Sequence, residues 1–358
     1  MMETTLDNAE TTGSYRELKR LVSAAGLLET QPRYYAFKIP SILLMMAGAI
    51  AVLVVVGESW WQMGTAVLLA VVGMQAALIG HDGGHRQIFR SARRNDLVPL
   101  LITSPFLGLN FSWWMEEHNQ HHATPNHEEL DPNINMRFWA FTKNQRQQRR
   151  GVYRFMAKYQ AIFVIPLNTI GGLYKVVESA RYIKNRELRY PKLEPLMYAL
   201  YVAWLLTLLF VILTPVQAVA FLALYYTVFG LYLGMVIAPN HKGMLMVGDD
   251  NRLDFLHWQV LTARNFKGNP LTDFLYGGLN YQIEHHLFPS MPRNRLPDAV
   301  KIVRPYCQRH GIAYHETGVF EGFREILQRM HRSSAPLRGQ TSGPSDTDQT
   351  EAAGAPGS

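Results

Sequence analysis

"FKIPSILLMMAGAIAVLVVVG", residues 37–57, carries one charge, Lys38, and that charge sits at its edge. A helix of about 20 apolar residues is roughly 30 Å long, the thickness of bilayer hydrocarbon. A second run, "WQMGTAVLLAVVGMQAALIG" at 61–80, follows directly after the turn "ESW". Two more, at about 195–213 and 217–238, are divided by "TPVQ". Charged residues are nearly absent from all four runs, a restriction that hydrocarbon imposes and a water-soluble helical core does not. The expectation is an all-α integral membrane protein with four transmembrane helices in two hairpins.

Bulk composition would not have revealed this, because 48% hydrophobic residues and a mean hydropathy of −0.07 suit either class. The placement of Lys and Arg adds topology. The two hairpin turns contain none, whereas the N-terminal arm, the segment between the second and third spans and everything after residue 240 contain many. Positive loops stay on the cytoplasmic side, so those three segments and both termini are expected there. The net charge of +7 and the pI near 9.4 then reflect topology and attraction to anionic lipid headgroups, with no nucleic acid as partner.

The flanking segments read more simply. Residues 1–36 form a cytoplasmic arm whose first thirty residues are polar and of mixed charge, suited to an interfacial helix and unlike a cleavable signal peptide. "TSPFLGLNFSWWM" and "AIFVIPLNTIGGLY" are apolar but too short to cross, and are expected at the membrane boundary. "LPDAVKIVRPYCQRHG" and "GVFEGFREILQRM" read as cytoplasmic helices closing a main domain over 37–332. Residues 333–358, rich in Ser, Gly, Pro and Ala, read as a disordered tail. Cys307 is the single cysteine, which excludes an internal disulfide and a cysteine-held iron–sulfur cluster.

Function is carried by histidine. Of 13 histidines, eight fall into three clusters and one isolated position. "HDGGH" places His81 and His85 at i, i+4 after the second span, on one face if the helix continues through the two glycines. "HNQHH" supplies His118, His121 and His122 at i, i+3 and i+4, and "QIEHH" repeats that spacing with Gln282, His285 and His286. His241, in "APNHKG", leaves the fourth span on the same predicted face as the other clusters. A lone histidine is usually a hydrogen-bonded core residue, but eight imidazoles converging on one membrane face exceed the four ligands of an ordinary zinc site. Two metals are implied. Iron, copper, nickel and zinc all suit imidazole, and spacing does not choose among them.

These motifs resemble, in order and spacing, the three histidine boxes of the membrane-bound fatty acid desaturases. "HHATPNHEELDPNIN" and "HHLFPSMPRNRL" are similar to that family as well, and the likeness runs over about residues 35–315. Glutamine at the head of the third box resembles the front-end class and related bacterial acyl desaturases. The resemblance implies a cytoplasmic helical cap holding two non-heme irons on His81, His85, His118, His121, His122, His241, His285 and His286. It implies O2 as co-substrate, a cis double bond as product, and a fatty acyl chain carried by CoA, acyl-carrier protein or glycerolipid as substrate. For a bacterial chain the site would face the cytoplasm from the inner membrane. Gln282 is expected as an outer group of the site, and Asp82, Glu117 and Glu284 as carboxylates that accept a distal imidazole N–H. No His-Pro pair is present, so the heme-binding motif of a fused cytochrome b5 domain is missing. Electrons are expected from a separate ferredoxin or flavoprotein reductase.

Alternatives remain at this stage. A hydroxylase or ketolase of sterols, sphingoid bases, carotenoids or alkanes would share the boxes, and product analysis separates them. A metal transporter would place polar groups deep inside the spans. A metal-free scaffold would not need every box histidine. Soluble desaturases are set aside because their Glu-x-x-His pairs do not occur here.

Overall fold

The computed structural model describes residues 13–340, in two compact units. The first comprises residues 30–117 and 165–235. Its leading helix, Pro32–Val56, opens on a proline, which costs nothing where the amide has no partner, and closes at Gly57, whose φ of 64° favours glycine. The Gln62–Gly84 helix returns alongside it. The side-chain amide of the buried Gln62 donates to the carbonyls of Leu53 (2.8 Å) and Gly57 (2.9 Å), which ties the hairpin end. Trp60 and Trp61 lie exposed at that turn, as interfacial aromatics do. Large apolar side chains on the outer faces, among them Phe37 at 75% and Val55 at 84% exposure, have no protein cover and match hydrocarbon.

The same unit holds the Leu193–Ile212 and Pro215–Ile237 helices. Glu194 is buried at the start of the former and is fully occupied, accepting from Asn110 Nδ2 (2.6 Å), Ser112 N (3.1 Å) and Oγ (2.7 Å), and Tyr190 N (2.9 Å). That satisfaction is what makes a buried carboxylate tolerable. The Pro215–Ile237 helix is crossed closely by the 165–185 portion of another helix: a Cβ on Gly230 would stand 2.3 Å from the Asn168 carbonyl oxygen, and one on Gly234 would meet the Asn168 side chain at 2.4 Å. Small residues four apart allow such approach.

Among the described residues, five helices are long and apolar enough to cross a membrane, one more than expected from the sequence. The extra one is Gln160–Asn185, which contains "AIFVIPLNTIGGLY"; that apolar run ends at Tyr174, whereas helix continues for eleven further residues. "TSPFLGLNFSWWM" lies in a broken pair, Ala92–Leu107 and Phe111–Ala123, bent by 111°.

The second unit comprises the rest of the described chain. Its core joins Leu18 and Val22 of the Tyr15–Ala24 helix, Leu256 and Val260 of Phe255–Leu261, Ile283 and Leu287 of Gln282–Leu287, and Leu296, Val303 and Tyr306 of Leu296–Arg309. The N-terminal helix therefore spends its apolar face on protein, where the sequence alone had suggested an interfacial helix. Ser14 caps it by accepting from Glu17 N, and the Ser14 N–H donates to the Tyr306 hydroxyl at 2.7 Å. Asn265–Phe266 and Glu316–Thr317 form a minimal parallel strand pair. Of the expected tail, residues 335–338 form a short helical turn behind the buried Ser333 and Ser334, and 341–358 lie outside the described residues, as does the arm before residue 13.

Candidate metal centre

All three histidine boxes are helical. The Gln62–Gly84 helix does continue through the first box, with His85 at its C-cap and the His81 and His85 ring centroids 4.6 Å apart. The glycines that cost helix propensity answer to neighbours: a Cβ on Gly84 would lie 2.2 Å from the Trp114 ring, and one on Gly83 would lie 2.9 Å from the Asn95 carbonyl oxygen. Trp114 packs edge-on against both imidazoles, at 5.8 Å from His81 and 6.3 Å from His85.

The second and third boxes lie on Phe111–Ala123 and Gln282–Leu287, and the second unit brings six histidines into two adjoining triads. In one, the available ring nitrogens of His118, His122 and His285 lie within 4.8 Å of one another, with His122 Nε2 and His285 Nε2 at 3.1 Å. In the other, His121, His241 and His286 meet the same limit and are all buried. The His122 and His286 rings stack at 4.2 Å, which places the triads side by side.

Hydrogen bonds at the distal nitrogens fix the tautomers. His241 Nδ1 lies 2.9 Å from the Thr262 carbonyl, which can only accept, so that nitrogen carries the proton. Burial pushes His241 down to about 3, keeping it neutral, and its Nε2 therefore offers a lone pair. His121 Nδ1 faces Asp131 Oδ2 at 3.0 Å. Burial alone would raise the Asp131 carboxyl; the His121 ring and the Asn133 and Asn126 amides outweigh it and hold Asp131 below its ordinary value. His286 Nδ1 faces Gln259 Oε1 at 2.9 Å, and the Gln259 amide is oriented by donating to the His122 carbonyl at 3.3 Å. His121 Nε2 and His241 Nε2 thus confront each other at 3.2 Å in a buried site. Imidazoles that converge in a buried site form an all-imidazole donor set, and such a set suits a transition metal.

The remaining residues singled out from the sequence take varied places. Gln282 Oε1 accepts from Asn240 Nδ2 and its Nε2 stands 3.0 Å from His241 Nε2, beside the buried triad. Asp82 lies 3.9 Å from His81 Nδ1 and accepts from the Tyr35 hydroxyl at 3.0 Å. Glu117 pairs with Lys175 at 3.7 Å. Glu284 is fully buried and accepts from Asn265 Nδ2 (2.6 Å) and the Tyr314 hydroxyl (2.7 Å); burial exceeds the effect of both donors and pushes it up to about 7. Asp131, Gln259 and Thr262, which do face the imidazoles, were missed. Asp131 could have been found, ten residues past His121 in the loop following the box; Gln259 lies on, and Thr262 caps, a helix with no motif of its own.

The family model for fatty acid desaturases matches residues 58–318. The chain belongs to the fatty acid desaturase family. The chain is 27% identical over 326 residues to the acyl-lipid (9-3)-desaturase of Physcomitrium patens, covering 88% of this chain and 62% of the moss protein. It is 28% identical over 332 residues to a Delta(6)-fatty-acid desaturase of Caenorhabditis elegans, covering 88% and 74%. A Delta(8)-fatty-acid desaturase of Euglena gracilis is 26% identical over 327 residues, covering 88% and 77%. This desaturase chain thus spans rather less than two thirds of the moss protein's length.

Proposed function

We propose that this desaturase inserts a cis double bond into a lipid acyl chain at a centre of two irons held by His81, His85, His118, His121, His122, His241, His285 and His286. The observation that carries the reading is the pair of adjoining imidazole triads, one of which has its distal nitrogens engaged by the Asp131 carboxylate, the Thr262 carbonyl and the Gln259 amide oxygen. Trp114, which packs on His81 and His85, stands one turn before His118 on a continuous helix, and this supports adding the first box to the same centre.

Four membrane spans are proposed. In the Gln160–Asn185 helix only residues 160–174 lack charge, because Lys175, Glu178, Arg181 and Lys184 follow. Fifteen residues of helix reach roughly 22 Å, short of the hydrocarbon thickness. An even number of spans returns every histidine box to one face, the one enriched in Lys and Arg and hence cytoplasmic.

When bound, the irons would supply the reduction of O2 to an oxidant able to take hydrogen from unactivated carbon. The reaction balances when one O2 receives two hydrogens from a –CH2–CH2– unit, two electrons from a separate ferredoxin or flavoprotein reductase and two protons, leaving –CH=CH– and two waters. The protein's own part is placement. Asp131, Thr262 and Gln259 hold the imidazoles in register, and Ile283 and Leu287 bury the third box away from water.

A relative named for acyl-lipid substrates makes a glycerolipid-held chain the first carrier to test. Expression in a host lacking desaturases, followed by mass spectrometry with double-bond localisation, should reveal one new cis-unsaturated acyl chain. A hydroxylated product would move the reading to a hydroxylase, and an unchanged lipid profile with iron-loaded protein and a competent donor would sink it.

A further inference from the structure

We propose that the outer face of the N-terminal helix and the adjoining end of Leu296–Arg309 form the docking surface for an acidic, water-soluble one-electron carrier. The proposal rests on the desaturase reading, whose reaction needs two electrons per turnover.

Arg16, Lys19 and Arg20 stand at i, i+3 and i+4 on Tyr15–Ala24 and are all exposed, as is Arg309 at the end of the helix packed against it. The nearby acid, Glu17, accepts from the Tyr306 hydroxyl at 2.9 Å and is outnumbered by the four cations. What faces outward is as telling as the charge. Leu18 and Val22 are spent in the core, and among the described residues no large apolar side chain is exposed on either helix. A membrane-docking helix needs an apolar face to insert. Such a face does occur elsewhere, at Gly151–Lys158, where Val152, Tyr153 and Phe155 are exposed between Arg150, Arg154 and Lys158. The N-terminal surface lacks it, and a hydrated cationic patch suits the small, electrostatically steered encounters of electron-transfer proteins.

The patch also sits in the right place. Tyr15, on the inner side of the same helix, donates its hydroxyl to the Leu287 carbonyl at 2.9 Å, and Leu287 directly follows His286. Its ring stacks on Phe288 at 5.8 Å and meets Phe255 edge-on at 4.6 Å. A carrier seated over Arg16, Lys19 and Arg20 therefore rests on a helix whose inner side, at Tyr15, contacts the end of the helix that presents His285 and His286. Two successive encounters oxidise two reduced carriers and deliver one electron each.

The test uses the full-length, iron-loaded enzyme in lipid nanodiscs, an acidic [2Fe–2S] ferredoxin with its NADPH-dependent reductase, and the Arg16→Gln/Lys19→Gln/Arg20→Gln triple variant. Its kcat/KM for ferredoxin should fall about tenfold or more, with loss of the parent's salt dependence and an unchanged KM for the acyl substrate. Chemically pre-reduced enzyme, mixed with O2 and substrate for a single turnover, should give equal product from parent and variant. Unchanged ferredoxin kinetics and salt dependence in the variant would overturn the proposal. So would unchanged ferredoxin kinetics accompanied by lost binding to phosphatidylglycerol vesicles, which would make the surface a lipid site. Failure of the pre-reduced parent to make any product would count instead against the desaturase reading.

Discussion

His121 and Asp131 face each other at 3.0 Å in a buried contact, and the same carboxylate accepts the Asn126 amide at 2.8 Å. Asn126 in turn donates through Nδ2 to the carbonyls of His241 (3.0 Å) and Thr262 (3.2 Å), and Thr262 is the group that holds His241. Two imidazoles of one triad are thereby oriented through one loop residue.

Asp131→Asn preserves the shape but replaces the charged acceptor with an amide that can turn a donor toward His121. Activity or iron affinity should drop by roughly 10- to 100-fold, the usual effect of losing a group that orients a ligand. Metal titration of purified variant and parent measures it, and equal iron affinity with equal turnover would refute the role.

Iron content gives a second check. Purified protein should hold close to two irons per chain, and chelation should abolish activity. His285→Ala and His286→Ala should each lose iron and fall to background, while Gln282→Ala keeps most of its iron and loses part of its rate. Full iron and normal rate in both histidine variants would remove the third box from the centre.

Gly230→Val places a branched side chain against the backbone at Asn168, where even a Cβ would stand 2.3 Å from the carbonyl oxygen. The helices must separate, and overpacking of this kind costs about 1–3 kcal/mol. Thermal unfolding in detergent should shift downward, with no comparable shift for a valine at Gly171, where a Cβ meets nothing within 4 Å.

Glu284 supplies a pH prediction. Its carboxyl is raised from 4.5 to about 7 in the fold, so the native state holds a proton that the unfolded chain releases. The corresponding stability is fully present below the unfolded value and is lost as pH rises through 7. Metal-free protein should lose this contribution between about pH 5 and 8, and Glu284→Gln should remove that part of the profile. Identical pH profiles for parent and variant in chemical denaturation would contradict the assignment.

How much of this was legible beforehand follows from the range of the interactions. Hydrophobic length is a local property, and it alone determined the helices beginning near residues 37, 61, 195 and 217. Helical spacing is equally local, so "HNQHH" and "QIEHH" had to project their imidazoles from one face once those segments coiled. The helix over 160–185 was read short because its charged second half, beginning at Lys175, ended the apolar signal while leaving the backbone hydrogen bonding free to continue. Tertiary structure decided the rest. Which triad each histidine joins, the use of Gln259 and Thr262 as acceptors, and the engagement of Glu284 by Asn265 and Tyr314 instead of an imidazole all depend on contacts between segments far apart in the chain. Nothing in the spacing along one segment encodes them, because the acceptor that fixes a tautomer arrives from whichever distant element packs against the ring.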